Sequence, residues 1–369
     1  MIPWAAPAYW GNEERYVGDA LRSTWISGGP FVERLEREVR ALAGADASGR
    51  EALATSNGTT ALQLPCIALG IGPGDEMVVP GFAFMAAANV ALQLRARPVF
   101  CEVDPRTWCA RAEDVERCLS PRTKAIVAVH TYGNVCDMEP LVELARRRGV
   151  ALIEDAAEAF ASRYRGRFAG AIAPIGTFSF HATKTITTGE GGMTLTSDAA
   201  LAARMRLYRS HGMDRSKAFY WHEVAGHNFR LTNLQAALGC AQLEHLDDIV
   251  RERKRVHNEY RVRLGALDGI SAQHFEPEVT PVLWAYALKL GARAFPQGRD
   301  AVVKQLAERG IETRPGFHPA SEMRHLYADC PPLPVCEELG RTVISLPTWP
   351  GLKDEVIDRI CDALKAVRR

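Results

Sequence analysis

Apolar and polar positions change along this chain on two length scales. From about residue 50, short apolar runs at 76–80, 98–102, 125–130, 150–155, 176–180 and 192–196 alternate with longer amphipathic stretches such as 138–147 (MEPLVELARR). The short runs predict strands and the stretches between them predict helices, which together make βαβ units: an α/β fold whose sheet is covered on both faces. In such sheets ligands collect beyond the carboxyl ends of the strands, so the residues just after each run are the first candidates for chemistry. Around 235–265 (LQAALGCAQLEHLDDIVRERKRVHNEYRVRL) the pattern turns long and helical. Beyond it strand signals thin out, and a Pro-rich stretch appears at 330–336. The domain change is placed inside that helix, near 245, giving a large domain of residues 1–245 and a smaller C-terminal one of 246–369.

Length agrees, since 369 residues suit two domains better than one. With 47% hydrophobic and 24% charged residues the chain can bury a large core without staples. A net charge of +1 and a pI near 7.6 give no electrostatic basis for binding nucleic acid or a membrane surface. The basic clusters at 146–148 and 251–255 are mixed with acids and read as solvated helix faces. The nine cysteines (66, 101, 109, 118, 136, 240, 330, 336 and 361) form no CxxC pair, and several sit in apolar text such as LQLPCIAL. They are expected as buried reduced thiols, not as disulfides or metal ligands. The first 16 residues show no basic segment followed by an apolar run, and no stretch approaches the ~20 apolar residues that span a bilayer. The expectation is a cytoplasmic, enzyme-sized protein.

Three segments carry candidate chemistry. The first is TSNGTT at 55–60, a polar turn opening a helix. Free backbone N–H groups there suit an anion, Gly58 permits close approach, and Thr59 or Thr60 adds a hydroxyl. A plain Ser/Thr N-cap explains the same letters equally well. Pro65 lies within this helix and is expected to distort its early turns. The second is IEDAAE at 153–158, where Asp155 ends an apolar run and is costly unless paired. A protonated pyridine nitrogen is one partner for it; capping the next helix is the alternative, which position alone favours. The third is TFSFHATKTITTGEGG at 177–192. Lys184 stands there among small and hydroxylated residues, where partial desolvation lowers the amine pKa and frees it to attack a carbonyl. Ser179 and Thr183 would serve a phosphate, and the glycines would let the chain pass close to a bound ring. A snorkelling structural lysine is the alternative. The GIGPG at 70–74 precedes a strand and so is no dinucleotide loop, there is no P-loop GKS or GKT, and the ten histidines show no metal-binding spacing. His130, at a strand end, is more ordinarily structural; His181, beside the lysine, is a candidate supporting group.

Read together, these segments resemble the DegT/DnrJ/EryC1/StrS family of sugar aminotransferases, a branch of the fold-type-I pyridoxal-phosphate (PLP) enzymes. The resemblance runs from IPW at the start and STWISGG at 23–29 through SNGTTAL, VVPGFAF, AVHTYGNVCDM, IEDAAEAF, SFHATKTITTGEGGM and YWHEVAGHNFRLTNLQAALG. It ends with ETRPGFHP and LPTWPGL. TKTITTGEGG, NFRLTNLQAA and LPTWPGL look most like the GDP-perosamine synthases of that family, which aminate C4 of GDP-4-keto-6-deoxymannose. The resemblance implies a large domain with a mostly parallel seven-stranded sheet between helices and a smaller C-terminal α+β domain.

It also implies roles. Lys184 matches the Schiff-base lysine, Asp155 the partner of the pyridine nitrogen, Glu158 a residue under the ring and Phe84 the aromatic stacked on it. Gly58, Thr59 and Ser179 match phosphate ligands. Asn228 matches an asparagine that reaches the cofactor of a neighbouring subunit, which implies a homodimer with shared active sites. Arg314 matches an arginine near cofactor and substrate; Trp25, Ser27, Tyr220, Trp221 and His222 lie in segments lining the nucleotide-sugar cleft in relatives. His181 and His318 fall at two departures from the family pattern. The chain has His181-Ala-Thr before the lysine, and Phe317-His318-Pro-Ala-Ser321 puts a serine where relatives often have histidine. Both are expected near the sugar. The implied reaction passes an amino group from L-glutamate to the cofactor, giving pyridoxamine 5'-phosphate, and then to a nucleotide-linked 4-keto-6-deoxy sugar. A 3-keto nucleotide sugar or a keto-cyclitol is the alternative substrate, and a non-catalytic binding or regulatory homologue the alternative class. Related dehydratases that use pyridoxamine phosphate carry histidine where Lys184 stands.

Overall fold

All six apolar runs become strands, and a seventh strand that was not marked as a run joins them. The computed structural model describes residues 1–44 and 49–369. In chain order the strands are β1 (Glu51–Thr55), β2 (Glu76–Pro80), β3 (Arg97–Cys101), β4 (Thr123–Val129), β5 (Ala151–Asp155), β6 (Arg163–Tyr164), β7 (Arg167–Phe168), β8 (Ile175–Ser179), β9 (Gly192–Thr196), β10 (Ile270–Ala272), β11 (Val279–Thr280), β12 (Tyr286–Leu290), β13 (Arg314–Pro315) and β14 (Val343–Leu346). The helices are α1 (Glu13–Arg22), α2 (Pro30–Leu42), α3 (Gly58–Ala68), α4 (Ala86–Gln93), α5 (Ala112–Glu116), α6 (Met138–Arg148), α7 (Ala199–Arg209), α8 (Asn233–Glu244), α9 (Leu246–Leu264), α10 (Arg299–Glu308), α11 (Pro334–Thr342) and α12 (Asp354–Ala366).

The large sheet has seven strands in the order β1-β9-β8-β5-β4-β2-β3. Every pairing from β8 to β3 is parallel, and β9 alone runs against both its neighbours, β8 and β1. The mostly parallel seven-stranded expectation is therefore borne out. Along β4 the side chains divide with a period of two. Ile126 and Ala128 join one core with residues of α2, α6 and α8, while Ala125, Val127 and Val129 join the other with residues of α3, α4 and α7. Both faces are buried, which is why the central strands β2, β4 and β5 carry apolar residues at consecutive positions.

The distortion expected at Pro65 does not interrupt α3, which runs Gly58–Ala68 without a break. The proline supplies no N–H for the carbonyl of Ala61, one turn earlier. The Thr194 hydroxyl on β9 donates to that carbonyl at 2.6 Å in its place. The long helix expected over 235–265 is in fact two helices, separated at His245, whose ring is 3.2 Å from Asp248 Oδ2.

Beyond that break lies a four-stranded antiparallel sheet, β10-β12-β14-β13, packed with α9, α10 and α12 around a third core. The first residues of the chain belong to it by contact. Ile2 N–H donates to the Gly310 carbonyl at 2.7 Å, Trp4 N–H to Glu312 Oε2 at 2.9 Å, and the Trp4 indole N–H to Ser345 Oγ at 3.0 Å. All nine cysteines are free thiols, buried except for half-buried Cys118. Among the described residues no helix is long and apolar enough to cross a membrane.

Candidate active site

Strands β1, β4, β5 and β8 end on the same side of the sheet, at Thr55, Val129, Asp155 and Ser179, and a cleft of about 660 Å³ opens there. Gly58, Thr59, Phe84, Asp155, Glu158, Ser179, His181 and Lys184 all line it.

The turn between β1 and α3 makes one wall. Asn57 caps the helix through a reciprocal pair: Thr60 N–H donates to Asn57 Oδ1 at 2.9 Å, and Asn57 N–H to Thr60 Oγ1 at 3.1 Å. The cap is Asn57, not the serine or threonine of the plain capping reading, and it is compatible with the anion-site reading. The cap uses the Thr60 amide and leaves those of Gly58 and Thr59 without a partner among the described residues, at the positive end of a helix dipole. A Cβ on Gly58 would lie 2.7 Å from Ser179 Cβ, and one on Gly192 would lie 2.4 Å from the Asn57 carbonyl oxygen. Glycine at these two positions lets β8 and β9 close against the turn, bringing the Ser179 hydroxyl beside the free amides.

Two buried carboxylates and one amine form the floor. Neighbouring residues on β5 point to opposite faces. Glu154 is locked on one side, accepting N–H bonds from Gly170 (2.9 Å), Ile172 (2.6 Å) and Ala173, with His130 Nε2 3.0 Å away. His130 Nδ1 accepts from Cys136 N–H at 3.3 Å, so Nε2 carries the proton and donates to Glu154. His130 is thus a satisfied structural residue. Asp155 faces the cleft on the other side and, among the described residues, accepts only the Ala157 N–H, at 3.1 Å. Burial pushes its pKa up, against the opposing pull of that amide and of Lys184. Glu158 accepts the Tyr132 N–H at 2.7 Å and is likewise pushed up by burial.

Lys184 Nζ lies 3.7 Å from Glu158 Oε1 and 3.5 Å from the centre of the Trp284 ring. Burial lowers its pKa, and the charges of Glu158 and Asp155 act the other way. Arg253 is buried among carbonyls, donating to Lys184 O at 3.0 Å, Leu283 O at 3.2 Å and Trp284 O at 3.3 Å. Burial brings its pKa down to about 10.

These residues fit pyridoxal phosphate. The partnerless amides with Ser179 suit a phosphate. A buried carboxylate short of hydrogen bonds calls for a cationic partner such as a protonated pyridine nitrogen. The depressed amine is a carbonyl nucleophile.

The remaining expected site residues lie outside this cleft. Trp25 and Ser27 sit in the exposed segment before α2, and Tyr220, Trp221 and His222 in the exposed loop after α7. Asn228, also exposed, accepts from Arg230 Nε at 3.1 Å. Arg314 pairs with Glu312 at 2.7 Å and lies 5.7 Å from the Trp4 ring centre; His318 lies 3.3 Å from Glu322. Ser321, expected near the sugar, is buried and donates to Glu337 Oε1 at 2.8 Å. Of the two departures from the family pattern, only His181 reaches the cleft. Conversely, Gln63, Gln93, Glu190 and Trp284 line the cleft without having been singled out. The two glutamines stand in plain helical text. Trp284 arrives from the C-terminal part of the chain, with no local motif around it.

A model of the DegT/DnrJ/EryC1/StrS aminotransferase family matches residues 9–365. A GDP-perosamine synthase of Caulobacter vibrioides is 44% identical, the alignment covering 99% of this chain and 98% of that one. Among solved structures, the aminotransferase TlmJ of Streptoalloteichus hindustanus superimposes with a TM-score of 0.93 at 33% identity, covering 100% of this chain and 98% of its own. Spr1654 of Streptococcus pneumoniae, solved in its PLP form, gives 0.91 at 25% identity, with 99% and 98% covered.

Proposed function

Since the chain belongs to the DegT/DnrJ/EryC1/StrS aminotransferase family and is a PLP-dependent transaminase, we propose that it aminates C4 of a nucleotide-linked 4-keto-6-deoxy sugar, with L-glutamate as donor. Relatives 36–44% identical over nearly their whole length are named GDP-perosamine synthase, and that supports a GDP-linked substrate. The single observation that carries the reading is the cluster of Lys184, Glu158 and Asp155 opening on the cleft below the Gly58 and Thr59 amides.

When bound, PLP supplies an electron sink at its protonated ring nitrogen. Asp155 would hold the proton on that nitrogen, its buried carboxylate gaining the cationic partner it lacks. The Gly58 and Thr59 amides and the Ser179 hydroxyl would hold the phosphate, and Phe84, exposed at the cleft wall, would cover the ring face. Lys184 would hold the cofactor through its neutral amine and, when free of it, would move a proton at the reacting sugar carbon. Glu158 keeps that amine within reach. Asn228, exposed and outside its own cleft, would complete the phosphate site of a partner subunit in a homodimer. His181 would meet the sugar. Arg314, His318, Trp25, Ser27, Tyr220, Trp221 and His222 enter this proposal only as groups brought to the nucleotide sugar by dimerisation. We place the enzyme in the cytoplasm, where nucleotide sugars are made.

Lys184→Ala is expected to abolish both turnover and the visible absorbance that follows PLP addition; retained turnover removes Lys184 from the mechanism. A panel of GDP-, dTDP- and UDP-linked 4-keto-6-deoxy sugars with L-glutamate, scored for amino sugar by mass spectrometry, tests the substrate. Reaction of a keto-cyclitol and of none of these would overturn it.

A further inference from the structure

One large aromatic face in the cleft has no part in the roles above. Trp284, just before β12, sets its ring against Lys184 with Nζ 3.5 Å from the ring centre, closer than the 3.7 Å to Glu158 Oε1. Its indole N–H donates to the carbonyl of Thr183, the residue before the lysine, at 3.0 Å. Its backbone N–H donates to the Tyr132 carbonyl at 3.1 Å. The ring has little freedom: it stacks on Tyr132 with centroids 6.1 Å apart and meets Trp4 edge-on at 5.3 Å. Arg253, which has no carboxylate partner among the described residues, bonds the Lys184 and Trp284 carbonyls together. Lysine and indole are therefore held to one another through ring face, indole N–H and a shared guanidinium.

We propose that Trp284 is the positioning residue of Lys184: when the amine, free of the cofactor, has taken up a proton, the indole face seats the ammonium ion, and the indole N–H fixes the turn that aims it. The proposal rests on the reading of Lys184 as the cofactor lysine. A residue that carries a proton between two carbon atoms needs a place to hold it, and the electron-rich face of tryptophan is the strongest aromatic seat for a cation. The charged groups facing the amine are Glu158 and Asp155, which favour its protonated form, and Arg253, which with burial opposes it. Removing the ring tips this balance towards the neutral amine.

The test follows acetylation of Lys184 by trace acetic anhydride, read by peptide mass spectrometry across a pH series. It uses the full-length protein loaded with pyridoxamine phosphate, in which the lysine is free. Trp284→Leu is expected to lower the midpoint pH of labelling by about 0.5–1.5 units, and Trp284→Phe by less, because a phenyl face is the weaker seat. Fluorinated tryptophan, incorporated at all seven tryptophans, keeps shape and N–H but drains the ring face. It is expected to lower the midpoint in the wild-type sequence and not in Trp284→Phe, which answers the question even where Trp284→Leu fails to fold. An unchanged midpoint in Trp284→Phe and in the fluorinated wild type overturns the seat. In a parallel arm, PLP is expected to protect Lys184 from labelling. Failure of that protection would sink the cofactor assignment of Lys184 while leaving the midpoint comparison of the seat intact.

Discussion

At the scale of residues the site is two buried acids beside one half-buried amine. Asp155 and Glu158 both have pKa values raised by burial. The folded, cofactor-free chain therefore holds protons that the unfolded chain has already released. Such groups cost stability as pH rises from the ordinary carboxylate range, near 4, towards their raised values, and the cost persists above them. Asp155→Asn is accordingly expected to raise the melting temperature of the PLP-free protein at neutral pH, by differential scanning calorimetry. It is also expected to reduce kcat/KM on the order of 10²-fold, since an amide cannot balance a cationic ring nitrogen. A variant that melts lower than wild type would contradict the first half. Gly58→Ala would force Ser179 away from the free amides and weaken PLP binding roughly tenfold in a fluorescence titration, equal to about 1.4 kcal/mol. Lys184 and Asp155 could be picked out as cleft residues because each sits in an unusual local string. Trp284 could not be, because a tryptophan in apolar text looks like core until the chain is folded.

At the scale of elements, the α3 helix shows what a local reading misses. Pro65 is a helix breaker by its own chemistry, and the helix continues because a hydroxyl from β9 takes over the carbonyl it orphans. Thr194→Val should cost about 1–3 kcal/mol in urea unfolding, the penalty for a buried carbonyl left unpaired. In a Pro65→Ala background, where residue 65 again offers an N–H, the same change should cost markedly less; equal costs would show that the two residues are not coupled. Proline was visible in the sequence, whereas its remedy, supplied by a strand far along the chain, was not. Strands were easier. Burial on both faces gives the central strands β2, β4 and β5 consecutive apolar residues, while β1, with Glu51 at its start and Thr55 at its end, offered a weaker run.

At the scale of the whole molecule, the first residues of the chain meet its C-terminal part beside the cleft. Trp4 bonds Ser345 and packs edge-on against Trp284, and Tyr132 is sandwiched between Trp284 and Phe317, its ring 5.1 Å from the latter. The boundary we propose near 245 coincides with the helix break at His245, with residues 2–4 docked on the C-terminal sheet. Trp4→Ala is expected to destabilise the protein by about 3–5 kcal/mol. For the proposed dimer, mixing Lys184→Ala with Asn228→Ala chains under exchange conditions should restore activity above that of either variant alone. Each mixed dimer would regain one site with both residues intact, and no gain on mixing would count against a shared site.

The cysteines give the molecule a built-in clock. Eight of the nine are buried, and burial holds Cys66, Cys240 and Cys361 up to about 12, so in the native state they are neutral and shielded from reagents. Because these thiols are spread through all three cores, a maleimide or iodoacetamide finds them only when the corresponding layer opens. Peptide-resolved alkylation rates would therefore report, with no added label, which layer of the protein comes apart first.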